Sequence, residues 1–229
     1  VVLGAGILTA IGLYTRPASI VLALGIIAIH HRDAIILHGG DSVVRLGAIY
    51  IALAPSGATF SLDALRRGGP APLMSQWPRR LVQFNMALIY FTSTWGKYFG
   101  NYWKNGLATY FPARLNEFKR FPVPGFFNDV PVVYVTTYGT LAIEFALAVL
   151  VWFRPLRKWV LAGGLMLHGY IEWSMNIPLF SFLMMSMYVV WFDGDELEHW
   201  WERTRRRVDI ALLKWRPART VDTASDPSS

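Results

Sequence analysis

Apolar residues come in long runs along this chain, separated by short polar or basic turns. A membrane-crossing helix needs roughly 20 apolar residues. Residues 1–14 read as the end of a span, closed by Arg16-Pro17. Residues 18–29 are apolar but short, either a tilted crossing or a half-span. Residues 43–54 begin another, broken by Pro55-Ser56-Gly57, and 63–80 form a loop with the basic pairs Arg66-Arg67 and Arg79-Arg80. The runs 81–99, 132–153, 159–173 and 179–192 follow, with a tight basic turn at 154–158 and another turn at Asn176. Between them, 100–131 is too polar and proline-rich to cross, yet full of Trp, Tyr and Phe, as expected of an interfacial loop with a short amphipathic piece. The pattern predicts an all-α polytopic bundle of about five to six spans with an aromatic-rich interfacial loop. It divides the chain into a membrane domain over 1–192 and a charged tail over 193–229. The tail holds an amphipathic surface helix near 196–215 and ends in a disordered Thr-Ala-Ser-Asp-Pro-Ser-Ser.

Composition supports a membrane setting. Hydrophobic residues make up 54% and charged residues 16%, whereas soluble domains carry about a quarter charged. Ten Trp and ten Tyr suit membrane interfaces. The net charge of +7 sits in loops and tail, which points to topology and anionic lipid and not to nucleic acid. There is no cysteine, so disulfide, thiolate-metal and thiol redox chemistry are excluded. Val1 already lies within an apolar run and no signal-peptide pattern is present, so at least one span is expected upstream.

The basic residues also give an orientation. If the runs alternate sides, Arg16, Arg66, Arg67, Arg79, Arg80, Arg154, Arg157, Lys158 and the basic tail share one side. That side holds most of the basic charge and is expected to be cytoplasmic. The opposite, outer or periplasmic side collects the polar loop 30–41, the Lys97 end of its helix, the aromatic loop and Asn176.

Chemistry concentrates in that outer group. Lys97 lies in an apolar run, and stepping back at helical spacing meets Ser93, Thr94, Tyr90, Met86 and Gln83. An ionisable residue in a membrane helix marks a functional site by default. The competing reading is a lysine that snorkels to head groups beside Trp95, Tyr98 and Trp103. In the run 132–153, Thr137, Thr140 and Glu144 share a face; Glu144 is too deep to snorkel, so a neighbouring helix must pair it. His168 and Glu172 stand at i, i+4, where the two side chains can hydrogen-bond. Asn176 lies one turn further on. His30, His31, Arg32, Asp33, His38, Gly39, Gly40 and Asp41 form the densest polar cluster, and Asp41-Ser42 suits a helix cap. No metal-binding, Walker or dinucleotide motif is present, and no metal is expected.

Taken in order, these motifs resemble a family. They are His-x-Arg followed by Gly-Gly-Asp-Ser, Phe60-Ser61-Leu62-Asp63, and Tyr90-Phe91 with Lys97 and Trp103. A Thr-Tyr-Gly-Thr-Leu-x-x-Glu span ending at Glu144 comes next, then His168, Asn176 and Phe180-Ser181. The chain is similar to the HTTM (horizontally transferred transmembrane) domain shared with vitamin K-dependent γ-carboxylases. The resemblance implies that Lys97 is the base that starts oxygenation of vitamin K hydroquinone or menaquinol. It implies roles for His168 and for a histidine near His38, and a quinone pocket involving Tyr90, Ser93, Thr94, Trp95, Trp103, Glu144, Glu172, Asn176 and Phe180. The implied partners are membrane lipid, an isoprenoid quinone, and an unknown protein substrate or partner subunit. Gly96 stands where the animal enzyme has a second lysine. No large lumenal domain follows the last span here, so peptide-glutamate carboxylation itself is not implied. A non-catalytic quinone- or lipid-binding module is the alternative. A transporter is disfavoured because no repeat symmetry is visible.

Overall fold

The computed structural model describes residues 1–32, 39–59, 61–69 and 75–215. Among them the chain is all-helical, and its only β-type pairing is an isolated bridge between Lys119 and Met175. The helices are α1 (Val2–Ile11), α2 (Thr15–Arg32), α3 (Gly39–Leu53), α4 (Leu62–Arg66), α5 (Trp77–Tyr98), α6 (Asn101–Lys104), α7 (Val130–Val149), α8 (Arg154–Ser174), α9 (Phe180–Ser186) and α10 (Gly194–Trp215). Short 3-10 turns extend α7 over Leu150–Trp152 and α9 over Met187–Trp191. Asp33, His38, Phe60 and the segment from Thr223 to Ser229 lie outside the described residues.

Three helices begin before their apolar runs do. α5 starts at Trp77, α7 at Val130 and α8 at Arg154, each with a proline in its opening turn: Pro78, Pro131 and Pro155. The fixed φ of proline suits that turn, and its missing N–H is one the turn leaves unpaired anyway. The basic stretch at 154–158 is therefore the start of α8 and not a separate turn, and Arg79 and Arg80 belong to α5. α3 likewise begins at Gly39, which places Asp41 in its first turn and not at its cap. Between α5 and α7 the aromatic loop holds only the short α6 and 3-10 turns.

A tight corner joins the first helices. α1 stops at Gly12, whose φ of 70° turns the chain while its N–H reaches back to the carbonyls of Leu8 and Thr9. A side chain at Gly12 would also meet Ser61, 2.3 Å from an added Cβ. Asp63 of α4 accepts from the backbone N–H of Tyr14 (3.0 Å), the backbone N–H of Thr15 (2.8 Å) and the Thr15 hydroxyl (2.7 Å). It thereby satisfies donors that the start of α2 leaves unpaired. The backbone bond from Thr15, then its hydroxyl, hold the Asp63 carboxyl below the usual carboxylate range.

α1 packs on α2, α2 on α3, α5 on α7, and α8 on both α7 and α9, while α3 reaches α9. The core they share includes Val43, Met86, Tyr90, Leu147, Leu161, Met184, Tyr188 and Trp191. Large apolar side chains such as Phe84, Val135, Trp159 and Met166 face outward. The run Val130–Trp152 is long and apolar enough to cross a membrane, with a mean hydropathy of 1.6, and only 28% of its apolar window is buried. Such an outward apolar surface suits lipid. Among the described residues no other helix meets that test; α1 and Phe180–Trp191 are apolar but shorter.

The chain forms two units, Val1–Trp191 and Phe192–Ser229. In the second, α10 carries Asp195 and Glu196 in its first turn, and Glu196 accepts from the Asp193 N–H at 3.0 Å. Acidic residues there complement the helix dipole.

Candidate functional site: a part-buried ion pair beside a histidine–tyrosine chain

The polar stripe expected on the Lys97 helix runs down the buried face of α5. Gln83, Met86 and Tyr90 are buried in succession. At the lower end the Gln83 side-chain amide donates to the Val190 carbonyl at 2.7 Å, and Arg79 donates to the same oxygen at 2.8 Å. These bonds tie α5 to the turn that ends the last hairpin.

At the upper end, Lys97 forms an ion pair with Glu144 of α7 and donates to the Ser93 hydroxyl at 2.7 Å. Its ammonium lies 5.3 Å from the centre of the Trp103 ring, within cation–π range. The Lys97 side chain is 26% exposed and that of Glu144 9%. Lys97 is thus not a side chain snorkelling free into water. Glu144, expected to find a partner on a neighbouring helix, finds the lysine itself.

Half-way down the same face, the Tyr90 hydroxyl bonds to His168 Nε2 of α8 at 2.8 Å and to the Tyr188 hydroxyl at 2.7 Å. All three residues are buried. Tyr90 and Lys97 stand seven residues, two helical turns, apart on the same face of α5, so the two groups form one polar cluster, drawn from α5, α7, α8 and the last hairpin. Glu144 Oε2 and His168 Nδ1 are buried there without a protein partner, as is the Ser181 hydroxyl of α9. Buried polar atoms are normally hydrogen-bonded, so these hold unused capacity for a polar ligand or water.

Other expected residues are placed differently. His168 and Glu172 do not bond each other, because each is drawn to another group. The imidazole turns inward to Tyr90, while Glu172 pairs with Arg120, which also donates to the Glu172 carbonyl at 3.1 Å. Arg120 is brought there by backbone pairing: its N–H donates to the Ser174 carbonyl, and the Asn176 N–H to the Phe118 carbonyl. Thr94 bonds its own helix, at the Tyr90 carbonyl. Trp95 is 60% exposed and stacks on Phe91, away from the cluster. Of the two threonines on the Glu144 face, Thr140 bonds its own helix at the Thr136 carbonyl, while the Thr137 hydroxyl meets that of Thr109 in the aromatic loop at 2.9 Å.

The polar loop contributes to a neighbouring feature. Gly39 lines an open cleft of about 370 Å³ together with Glu117, Phe118, Asn176, Pro178 and Phe180. An added Cβ at Gly40 would lie 3.0 Å from the Pro178 carbonyl, so glycine permits this close approach. Phe180 joins cleft and cluster, since its ring packs 5.6 Å from that of His168. His31 Nδ1 is bonded to the Ile27 carbonyl, and the His30 Nδ1 atom is buried without a protein partner. Arg32 is exposed. Among the described residues no three His, Cys, Asp or Glu side chains come together as a metal site.

Reading the sequence missed Tyr188 and the pairing of Arg120. Tyr188 was detectable: with Ser181 and Met184 it stands at i, i+3 and i+7, the spacing of a single helical face. No local pattern marks the Arg120–Glu172 pair.

Fold and site together define, among the described residues, an all-helical bundle with a part-buried ion pair and a buried histidine–tyrosine chain. The HTTM domain family matches residues 1–196, and the chain belongs to that family. No curated protein and no solved structure matches it.

Proposed function

We propose that this chain is a bundle of about five to six crossings that admits an isoprenoid quinol from the bilayer and activates it in the manner of a γ-carboxylase. The observation that carries the reading is the pairing of Lys97 with Glu144 beside three buried polar atoms that have no protein partner. A lysine paired with a carboxylate can pass a proton to it and then take one from a quinol hydroxyl. Ser93 and Trp103 hold the amine in place through that exchange. The Tyr90 and His168 groups, with Ser181, offer donors and acceptors for the oxygens of a quinone ring. The chemistry uses dioxygen as oxidant: quinol plus dioxygen gives quinone epoxide plus water, one oxygen atom going to each product. Coupled carboxylation would replace a carbon-bound hydrogen of an acceptor with carbon dioxide.

The sidedness of basic residues supports a cluster that faces the outer or periplasmic side, with the tail cytoplasmic. Membrane lipid, the quinone and an unidentified protein acceptor are the proposed partners.

The test is quinol epoxidation in lipid nanodiscs with reduced menaquinone or vitamin K hydroquinone, oxygen and bicarbonate. Epoxide is expected from the native protein and from Lys104→Ala, and not from Lys97→Ala. Folded native protein that makes no epoxide from either quinol would sink the enzyme reading.

One observation favours a second reading, a non-catalytic quinone- or lipid-binding module. The cleft at Phe118 and Phe180 is not lined by Lys97. That module would bind quinone almost unchanged in Lys97→Met and turn nothing over.

A further inference from the structure

A second cleft, of about 200 Å³, lies at the corner where α1 meets α2, far along the chain from Lys97. Its lining includes Arg16, Ser19, Ser56, Gly57, Asp63 and Arg67. Both arginines are anchored by their outer nitrogens on backbone carbonyls. Arg16 Nη1 donates to Leu53 and Ala54 at 3.2 and 3.3 Å, and Arg67 Nη2 to Gly57 and Ala58 at 2.9 and 3.0 Å. These bonds close the end of α3 and hold both guanidinium groups at the mouth of one cleft. An arginine has five donors in a fixed fork, so each has donors left over after these bonds.

The one acid in the lining, Asp63, offsets one of these two positive charges but leaves the lining net cationic. Both oxygens of Asp63 are engaged by Tyr14 and Thr15 at the start of α2, where they answer the positive end of that helix. Arg66 adds a third cation beside the cleft, its guanidinium 5.3 Å from the Tyr14 ring centre. Tyr14 is itself exposed, and exposed apolar side chains of α1 and α2, among them Ile11 and Ile20, flank the corner. An aromatic ring, a set of arginines and the ends of apolar helices together mark a membrane–water boundary.

We infer that this cleft binds the phosphate of an anionic phospholipid, with Arg16 and Arg67 gripping the oxygens and the acyl chains lying along α1 and α2. Guanidinium groups recognise phosphate through paired N–H donors, which a lysine cannot reproduce. The site is independent of the quinol reading and needs only the membrane setting.

Test the protein reconstituted with phosphatidylcholine, with and without phosphatidylglycerol, then stripped by detergent, the retained lipid being measured by mass spectrometry. Phosphatidylglycerol should be retained over phosphatidylcholine, and retention should fall about fivefold for each of Arg16→Gln and Arg67→Gln. Lys158→Gln removes the same single charge from the basic start of α8 and should leave retention unchanged. An equal loss in Lys158→Gln would reduce the effect to diffuse charge and overturn the site. Inorganic phosphate bound by lipid-free protein with the same arginine dependence would assign the cleft to a free anion and overturn the lipid. If the glutamine variants do not fold, Ala58→Asp tests the same site by placing a carboxylate in its lining without removing a side-chain hydrogen bond. Retention undiminished in Ala58→Asp would also overturn the proposal.

Discussion

Lys97 and Glu144 are worth more to the molecule as a pair than either is alone. Removing one partner strands a charge in poorly hydrated surroundings, whereas removing both restores an apolar contact. Glu144→Gln or Lys97→Met should therefore each lower stability by about 1–3 kcal/mol, while the double variant Lys97→Met with Glu144→Leu should cost less than their sum. Chemical unfolding in micelles, run as a double-mutant cycle, measures this, and additive losses would show that the pair is not coupled. Lys97, Glu144 and His168 were all legible in the sequence as polar residues in apolar runs. Their partners were less so. Spacing along one helix suggested His168 with Glu172, but the pairing is settled across helices, by Tyr90 and Arg120, and periodicity carries no information on that.

At the level of elements, two contacts fix how helices meet. α8 approaches the last hairpin at Gly164, where an added Cβ would lie 2.4 Å from the Tyr188 hydroxyl. Gly164→Ala should destabilise the protein by about 1–3 kcal/mol, the usual cost of overpacking. Tyr188→Phe, which removes the clashing oxygen, should recover part of that loss in the double variant; no recovery in thermal unfolding would place the strain elsewhere. The corner of α1, α2 and α4 depends on ionised Asp63. Its carboxyl is held below the ordinary range, so the stabilisation is present above the unfolded carboxylate value and is lost as pH falls through the lower, folded one. The protection factors of the Tyr14 and Thr15 amides, with the intrinsic pH dependence of exchange divided out, should fall on acidification, and in Asp63→Asn they should not depend on pH in this way. Most of the helices were readable from the apolar runs, and the long aromatic loop from its prolines. The starts of α5 and α8 were not, because a basic residue next to proline reads as a turn, although the same pair makes a good first helical turn, and that of α7 was not because Pro131 reads as loop.

At the scale of the whole molecule, the sidedness of the loops tests whether its helices cross the bilayer. The chain has no cysteine, so single cysteines report sidedness without background. Lys104→Cys and Lys158→Cys should be labelled by a membrane-impermeant maleimide from opposite faces of sealed vesicles, with Lys158→Cys reached from the cytoplasmic face. Labelling of both from one face would overturn the multi-span arrangement. Class and family were legible from composition and from the order of weak motifs. The length of each helix was not, since several helices combine apolar middles with polar or basic ends.

The pairing of residues 118–120 with 174–176 has a mechanical consequence. It joins the start of the segment leading into α7 to the end of α8, so this part of the chain is a closed ring with two helices inside it. A pull applied across the ring, from Arg114 to Pro178, meets the bridge and the Arg120–Glu172 pair before it loads either helix. The first rupture under force should therefore release the slack of both helices in a single step, and Arg120→Ala should bring that step to lower force.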